Sequence, residues 1–266
     1  MMGLIGLPIS LFLYWLMLRS KKESPFPKYG LLRVLIAGAV SVVLSSIISM
    51  PVSLVLELAR SGAFSDFSGF IQSAISNPEA LKESMQSLDA NALSATLWAM
   101  LNMFLSAGLL EEGLKYLSCR IAIRKEGMVR TWMDSVVAFA IVGITFEMLE
   151  NITFGIGSEF IAVLFRALAP AHFVFGVVMG YFYGKYLVSG KKGYRLFSFF
   201  IPVIHHTVTN AFMSTMNVSS LNNVQGIAAA ISHIVVGVIT VIVVFYWQKK
   251  GKLDVPIRQK ETSVSV

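Results

Sequence analysis

Long apolar runs, separated by short polar stretches, recur from one end of the chain to the other. They cover residues 3–18, 31–58, 94–118, 134–156, 160–188, 196–217 and 225–247. A helix needs roughly 20 apolar residues to cross a bilayer, and these runs are too long and too uniformly apolar for the strands of a membrane barrel. Since only helices and closed barrels satisfy their backbone inside lipid, the pattern predicts an all-α integral membrane protein, a bundle of about seven transmembrane helices.

Composition and charge agree with this prediction. The chain is 55% hydrophobic and 14% charged, whereas soluble domains contain about 25% charged residues. The net charge of +7 does not indicate nucleic-acid binding, because most cations lie in short loops between the runs. Basic and non-basic loops alternate, which predicts a multi-pass protein of the cell membrane with its N-terminus outside and its C-terminus in the cytosol. Arg166 falls near the predicted outer side, and we expect it to snorkel to that surface.

The predicted spans also divide the chain into parts. Two N-terminal transmembrane helices occupy residues 1–58, and an extracytoplasmic loop covers residues 59–93. Residues 94–217 are expected to form a four-helix core, which carries the catalytic candidates named below, and residues 218–250 a C-terminal transmembrane helix. Residues 251–266 form a cytosolic tail, which we expect to be disordered.

Four of the predicted spans carry charged or polar groups that should not face lipid. They are Glu111, Glu112 and Lys115 in the third span, Glu147, Glu150 and Asn151 in the fourth, His172 in the fifth, and His206 and Asn210 in the sixth. A charged side chain at the centre of a bilayer costs at least ~2.5 kcal/mol on insertion scales. These groups are therefore expected to face one another in a functional site, whereas His205 and His233 are expected to be packing residues.

Helical spacing and depth support this convergence. Glu111 and Lys115 are four residues apart and can pair, and His206 shares a face with Asn210. His172 shares a helix face with Gly176, Gly180 and Gly184. These glycines form a stripe of small residues that lets another helix approach closely. Counting ~1.5 Å per residue from the cytosolic boundaries places the polar groups of all four spans about 17–20 Å deep, beyond the centre of a ~30 Å core.

Carboxylates and imidazoles at one buried site suit hydrolysis. A glutamate can act as the general base for water, a histidine can orient that water or protonate the leaving amine, and an asparagine amide can donate to a developing oxyanion. The catalytic candidates are Glu111 and Glu147 as leading bases, Glu112 and Glu150 as second choices, His172 and His206 as residues that shape the site, and Asn210 as the amide.

The same residue types can instead hold a divalent metal such as zinc, which would activate bound water. The metal-ligand candidates are Glu111, Glu147, His172 and His206. No HExxH motif occurs, so the usual zinc-protease helix is absent. The residues therefore leave the cofactor undecided between none and a divalent metal.

The motifs stand in a fixed order on consecutive spans. They are EExxK from Glu111 to Lys115, FExxEN from Phe146 to Asn151, His172 followed by Gly180, and HxxxN from His206 to Asn210. In this order, over residues 94–217, the sequence resembles the PrsW family of intramembrane proteases, which is related to CAAX prenyl endopeptidases and bacteriocin-immunity proteins. The FExxEN form favours PrsW over the CAAX branch, which typically has a histidine in the second motif. The resemblance implies proteolysis of a membrane-anchored protein, such as an anti-sigma factor, with the lipid bilayer as the other partner and no nucleic acid.

Three alternatives stay open. Buried glutamates and histidines also relay protons in proton- or cation-coupled transporters, although these spans show no inverted repeat. A CAAX-type prenyl endopeptidase would cut its substrate on the cytosolic side. A non-catalytic scaffold would pair its polar residues with one another and leave no cavity between them.

Overall fold

A computed structural model of the protein describes residues 2–21, 25–60, 68–69, 72, 76, 92–156, 160–215 and 224–258. After a 3-10 helix at Met2–Gly6, the helices are α1 (Leu7–Arg19), α2 (Gly30–Arg60), α3 (Ala92–Asn102), a π-helix (Met103–Leu109), α4 (Leu110–Ala122), α5 (Trp132–Phe154), α6 (Phe160–Leu168), α7 (Ala171–Ser189), α8 (Lys192–Thr215) and α9 (Val224–Lys250). Within the described residues, the β structure is a single bridge between Thr131 and Pro256.

The predicted spans coincide with these helices. Among the described residues, four stretches are long and apolar enough to cross a membrane: Gly30–Arg60, Trp132–Phe154, Val163–Ser189 and Ile231–Lys250. The other predicted spans fall on α1, on the run from α3 through the π-helix to α4, and on α8. The all-α membrane fold is thus confirmed, while the orientation of the chain across the bilayer stays a prediction.

Helix α5 lies at the centre of the molecule. Every residue from Met133 to Glu147 is buried, as expected of a helix that is apolar all round. Its closest neighbour is α7, which the predicted glycine stripe allows to approach. A Cβ added at Gly176 would lie 2.5 Å from the carbonyl oxygen of Phe139. The expectation of a close helix contact on this stripe is confirmed.

Two breaks in helical regularity position the polar residues. The π-helix Met103–Leu109 ends just before Glu111, and α8 packs closely against it because Gly108 has no side chain. A Cβ at Gly108 would lie 2.8 Å from the carbonyl oxygen of Val203 in α8. Pro170 is the N-cap of α7, so His172 lies in the first turn of that helix.

The chain beyond α9 folds back over the start of α5. The N–H of Trp132 donates to the carbonyl of Val255, and the N–H of Met133 donates to the carbonyl of Leu253, both at 2.9 Å. These bonds satisfy first-turn donors that have no partner inside their own helix. The expectation of a disordered tail is therefore wrong for residues 251–258, because its backbone completes the helix end. Residues 259–266 and most of the predicted loop 59–93 lie outside the described residues.

Candidate functional site

Side chains from four helices meet in one buried cluster, as their spacing predicted. The cluster contains Glu111, Glu112 and Lys115 from α4, Glu147 and Glu150 from α5, His172 from α7, and His206 and Asn210 from α8. Two close contacts described above hold these helices together: α5 against α7, and α8 against the π-helix that leads into α4. The cluster is therefore built on rigid elements, which suits a site that needs fixed geometry.

Lys115 is the charged centre of the cluster. Its Nζ lies 2.6 Å from Oε1 of Glu112 and 2.5 Å from Nδ1 of His172. Lys115 is 2% exposed and Glu112 is 0% exposed. The structure thus pairs Lys115 with Glu112, three residues away, instead of with Glu111 as the sequence suggested; both spacings bring side chains together on a helix.

The partners of the two histidines fix which nitrogen of each ring carries hydrogen. An ammonium only donates, so Nδ1 of His172 accepts from Lys115, and Nε2 donates to Oε2 of Glu150 at 2.7 Å. In His206, Nδ1 donates to Oε1 of Glu112 at 2.7 Å, and Nε2 accepts from the Asn210 amide at 2.9 Å. Each imidazole is thereby held by two protein partners in one tautomer.

Glu147 supports the start of α7. Its Oε2 accepts the backbone N–H of His172 at 2.7 Å. A carboxylate in this position satisfies a first-turn donor and interacts favourably with the helix dipole. The sequence made Glu147 a leading candidate for activating water, but this geometry gives its carboxylate a task in positioning His172.

Arg166 joins the cluster from α6. Its Nη2 lies 2.5 Å from Oε2 of Glu150, and its Nε donates to Oδ1 of Asn151 at 2.8 Å. The expectation that Arg166 snorkels to the outer surface is wrong, because α6 packs beside the end of α5 and two acceptors lie within reach of the guanidinium. A signal was available in the sequence, since a lone cation inside an apolar run is by default a functional candidate.

Glu111 differs from the other glutamates of the cluster because its carboxylate accepts no hydrogen bond from the described residues. Its Oε2 is buried without a hydrogen-bond partner among the described residues and lies 4.0 Å from Nε2 of His172. A cavity of about 320 Å³ opens beside it between α2 and α5, and Glu150 also lines this cavity. Since one water occupies about 30 Å³ in the liquid, the cavity that Glu111 lines has room for several water molecules.

Hydroxyl groups form much of the remaining wall of this cavity. Ser45, Ser46 and Ser49 line it from one face of α2, and Thr153 lines it from α5. Ser45 and Ser46 donate to the carbonyl of Val42, at 3.0 and 2.8 Å. Their oxygen lone pairs therefore remain able to accept hydrogen bonds from a molecule that enters the cavity.

Comparison with known proteins shows the family to which this chain belongs. The model of a family described as "PrsW family intramembrane metalloprotease" matches residues 27–248. The chain belongs to the PrsW family. It is 34% identical over 107 residues to Protease PrsW of Shouchella clausii (strain KSM-K16), an alignment that covers 39% of this chain and 50% of that protein. Identity to Protease PrsW of Bacillus subtilis (strain 168) is 34% over 108 residues, again 39% of this chain and 50% of the relative.

The chain thus spans about half the length of the curated PrsW relatives that it matches. No solved structure is similar to it. The matched residues 27–248 contain every residue of the cluster, and they extend the PrsW resemblance beyond the four spans whose motifs first indicated it.

The family's description as a metalloprotease implies a metal ion, so we ask whether the residues of the cluster fit one. Glu111, Glu112, His172 and His206 each offer a ligand atom within 4.8 Å of the others, and they are donor types that zinc accepts. Zinc bonds of about 2.0–2.2 Å would place tetrahedral ligands about 3.4 Å apart. All four imidazole nitrogens already bond to protein groups, and the Lys115 ammonium lies between Glu112 and His172. This arrangement does not fit a metal ion.

Proposed function

We propose that this PrsW family protein is an intramembrane peptidase that hydrolyses a peptide bond in a membrane-anchored protein, with Glu111 activating the water. The observation that carries the proposal is that Glu111 lines the cavity while its carboxylate accepts no hydrogen bond from the described residues. The oxygen of Glu147 that reaches His172 is already occupied by a backbone N–H, and Glu150 is engaged by His172 and Arg166. Glu112 also has an unpaired oxygen, but it is fully buried and does not line the cavity.

The reaction needs one base that also returns its proton. Glu111 takes a proton from water as the water oxygen attacks the carbonyl carbon of the substrate. It gives that proton to the leaving amine when the C–N bond breaks, so the enzyme ends in its starting protonation state. The second N–H of Asn210 and the guanidinium of Arg166 are the candidate donors to the oxyanion.

The cavity between α2 and α5 supplies a route for the substrate. A transmembrane helix satisfies its own backbone, so its peptide bonds are hidden until it unwinds locally. The serine hydroxyls on α2 offer acceptors for the N–H groups that unwinding releases. Unwinding is easiest near a helix end, where hydrogen bonds already run out. Because residue counting predicts a site beyond the centre of the membrane from the cytosolic side, the cut is expected in the outer part of a single-span substrate or just outside it.

Reconstitution of the full chain in liposomes with a set of single-span proteins, anti-sigma factors among them, tests this function. Mass spectrometry of the products should show a cut in the outer part of the span. A cut on the cytosolic side would point instead to a prenyl-endopeptidase type of activity. Proton or cation flux across the liposome membrane, without any cleavage, would favour the transporter and overturn the proposal.

A further inference from the structure

We infer that Lys115 takes the place that the PrsW family's description gives to a metal ion, so that the site works around a buried ammonium and binds no divalent cation. The inference rests on the proposed peptidase function, but it concerns the cation of the site and not the substrate. It departs from the word "metalloprotease" in the family's description.

The ammonium occupies a cage built for a cation. Glu112 and His172 accept its N–H groups, at 2.6 and 2.5 Å. The ring of Phe146 lies below it, with 4.3 Å between Nζ and the ring centroid, and the ring of Phe175 is 5.8 Å away. A carboxylate, a neutral imidazole and aromatic faces are the groups that stabilise a desolvated ammonium.

The histidines are arranged for hydrogen bonding and not for metal binding. Metal binding needs a free lone pair on one nitrogen of each imidazole. In His172 that lone pair is on Nδ1 and points at Lys115, and in His206 it is on Nε2 and points at the Asn210 amide. A divalent ion would have to displace an ammonium, against charge repulsion, and rotate a ring out of two hydrogen bonds.

Lys115 is therefore a positioning residue. By donating to Nδ1 of His172, it leaves the hydrogen of that ring on Nε2, the nitrogen that lies 4.0 Å from Oε2 of Glu111. By pairing with Oε1 of Glu112, it also compensates the most deeply buried carboxylate of the cluster. A metal would perform both tasks through ligation, so the ammonium makes it dispensable.

Metal content and chelator sensitivity of the purified wild-type chain test the inference first. The protein is prepared from zinc-supplemented cells, its metal content is measured by elemental analysis, and its cleavage rate is measured with 1,10-phenanthroline or with the non-chelating 1,7 isomer. We expect far less than one metal ion per chain and the same rate with both compounds. One bound zinc per chain, lost with activity on chelation and restored by zinc, would overturn the inference while leaving the peptidase function intact.

Cobalt binding to Lys115→Met gives a readout that a merely structural lysine would not move. Without the ammonium, two carboxylates and two histidines lose their internal cation, so this variant should gain one Co²⁺ with a tetrahedral absorption spectrum, and its cleavage rate should fall by about tenfold or more. The wild type and Lys185→Met, which removes a lysine that lies over Tyr194 outside the cluster, should not bind Co²⁺.

A folded Lys115→Met variant that binds no Co²⁺ would contradict the inference, as would Co²⁺ binding by the wild type. If Lys115→Met fails to fold, the wild-type metal and chelator measurements decide the question. If no substrate is cleaved at all, the proposed function fails, while the metal content and the Co²⁺ spectra still report on Lys115.

Discussion

At the residue scale, the four glutamates of the cluster are chemically identical but have different partners. Glu112 is paired with a lysine, Glu147 accepts a backbone N–H, and Glu150 is paired with an arginine, whereas Glu111 lines a cavity and its carboxylate accepts no hydrogen bond from the described residues. Since a general base needs an unoccupied lone pair within reach of water, these partners separate the base from the supporting carboxylates. Replacing each of these glutamates by glutamine, which keeps the shape of the side chain but removes its charge, should therefore change the cleavage rate by unequal amounts.

Glu147→Gln tests this separation. The amide oxygen of glutamine can still accept the N–H of His172, so the variant loses mainly the attraction between a charge and the helix dipole, about 0.3–1 kcal/mol. We expect its cleavage rate to fall by less than about tenfold. Glu147→Ala, which leaves the N–H unsatisfied, should lose more activity and stability. A Glu147→Gln enzyme as inactive as one without its base would return Glu147 to the role that the sequence first suggested.

The sequence predicted which residues belong to the cluster better than it predicted their roles. Charges inside apolar runs are costly, so the positions of Glu111, Glu112, Glu147 and Glu150 within such runs were enough to predict that they face one another. Roles depend on which atom points at which neighbour, and this is decided by rotations that helical spacing does not specify. The pairing of Lys115 with Glu112 and the inward turn of Arg166 are of this kind.

At the element scale, the position of His172 depends on the close contact of α5 and α7. The glycines at that contact have no room for a side chain; besides Phe139, a Cβ at Gly176 would meet Cα of Ala140 at 3.0 Å. The spacing of glycines in the sequence predicted a close helix contact on this face of α7, but it did not specify α5 as the partner. The π-helix before Glu111 was not predicted, because it is stabilised by tertiary packing against α8 and has no periodic signal of its own.

Gly176→Val should therefore separate α5 from α7 and displace His172. Overpacking of this kind costs about 1–3 kcal/mol, so both the unfolding midpoint in detergent and the cleavage rate should fall. Gly193→Val is the matched control, since a Cβ at Gly193 in α8 meets nothing within 4 Å. Equal stability of the two variants would show that the α5–α7 contact is looser than described.

At the scale of the whole molecule, the segment 251–258 ties α9 to the starts and ends of other helices. Besides capping α5, it bonds to α7, where the N–H of Arg258 donates to the carbonyl of Leu187 at 3.2 Å. Beneath it, Lys21 and Asp134 form a buried ion pair at 2.6 Å, which joins the chain after α1 to α5. This end of the bundle is the predicted cytosolic end, opposite to the cluster.

Removing residues 251–266 should destabilise the protein, because two N–H groups at the start of α5 lose their acceptors. Each lost hydrogen bond should lower the free energy of unfolding by about 1 kcal/mol. A chain shortened only by residues 259–266 keeps these bonds and is the control. Thermal unfolding in detergent should show a lower midpoint for the longer deletion alone. Identical midpoints for both deletions would mean that residues 251–258 do not contribute to the stability of the bundle.

The most direct test of the central claim compares Glu111→Gln with Glu126→Gln, a control that removes an exposed carboxylate from a loop outside the cluster. Each variant is reconstituted with a substrate that the wild type cleaves, and product masses are followed over time. The two products of the wild type and of Glu126→Gln should sum to the mass of the substrate plus one water. Glu111→Gln should be folded and membrane-inserted, yet at least about 100-fold slower, as expected from the loss of a general base. Cleavage by Glu111→Gln at the rate of the control would contradict the account.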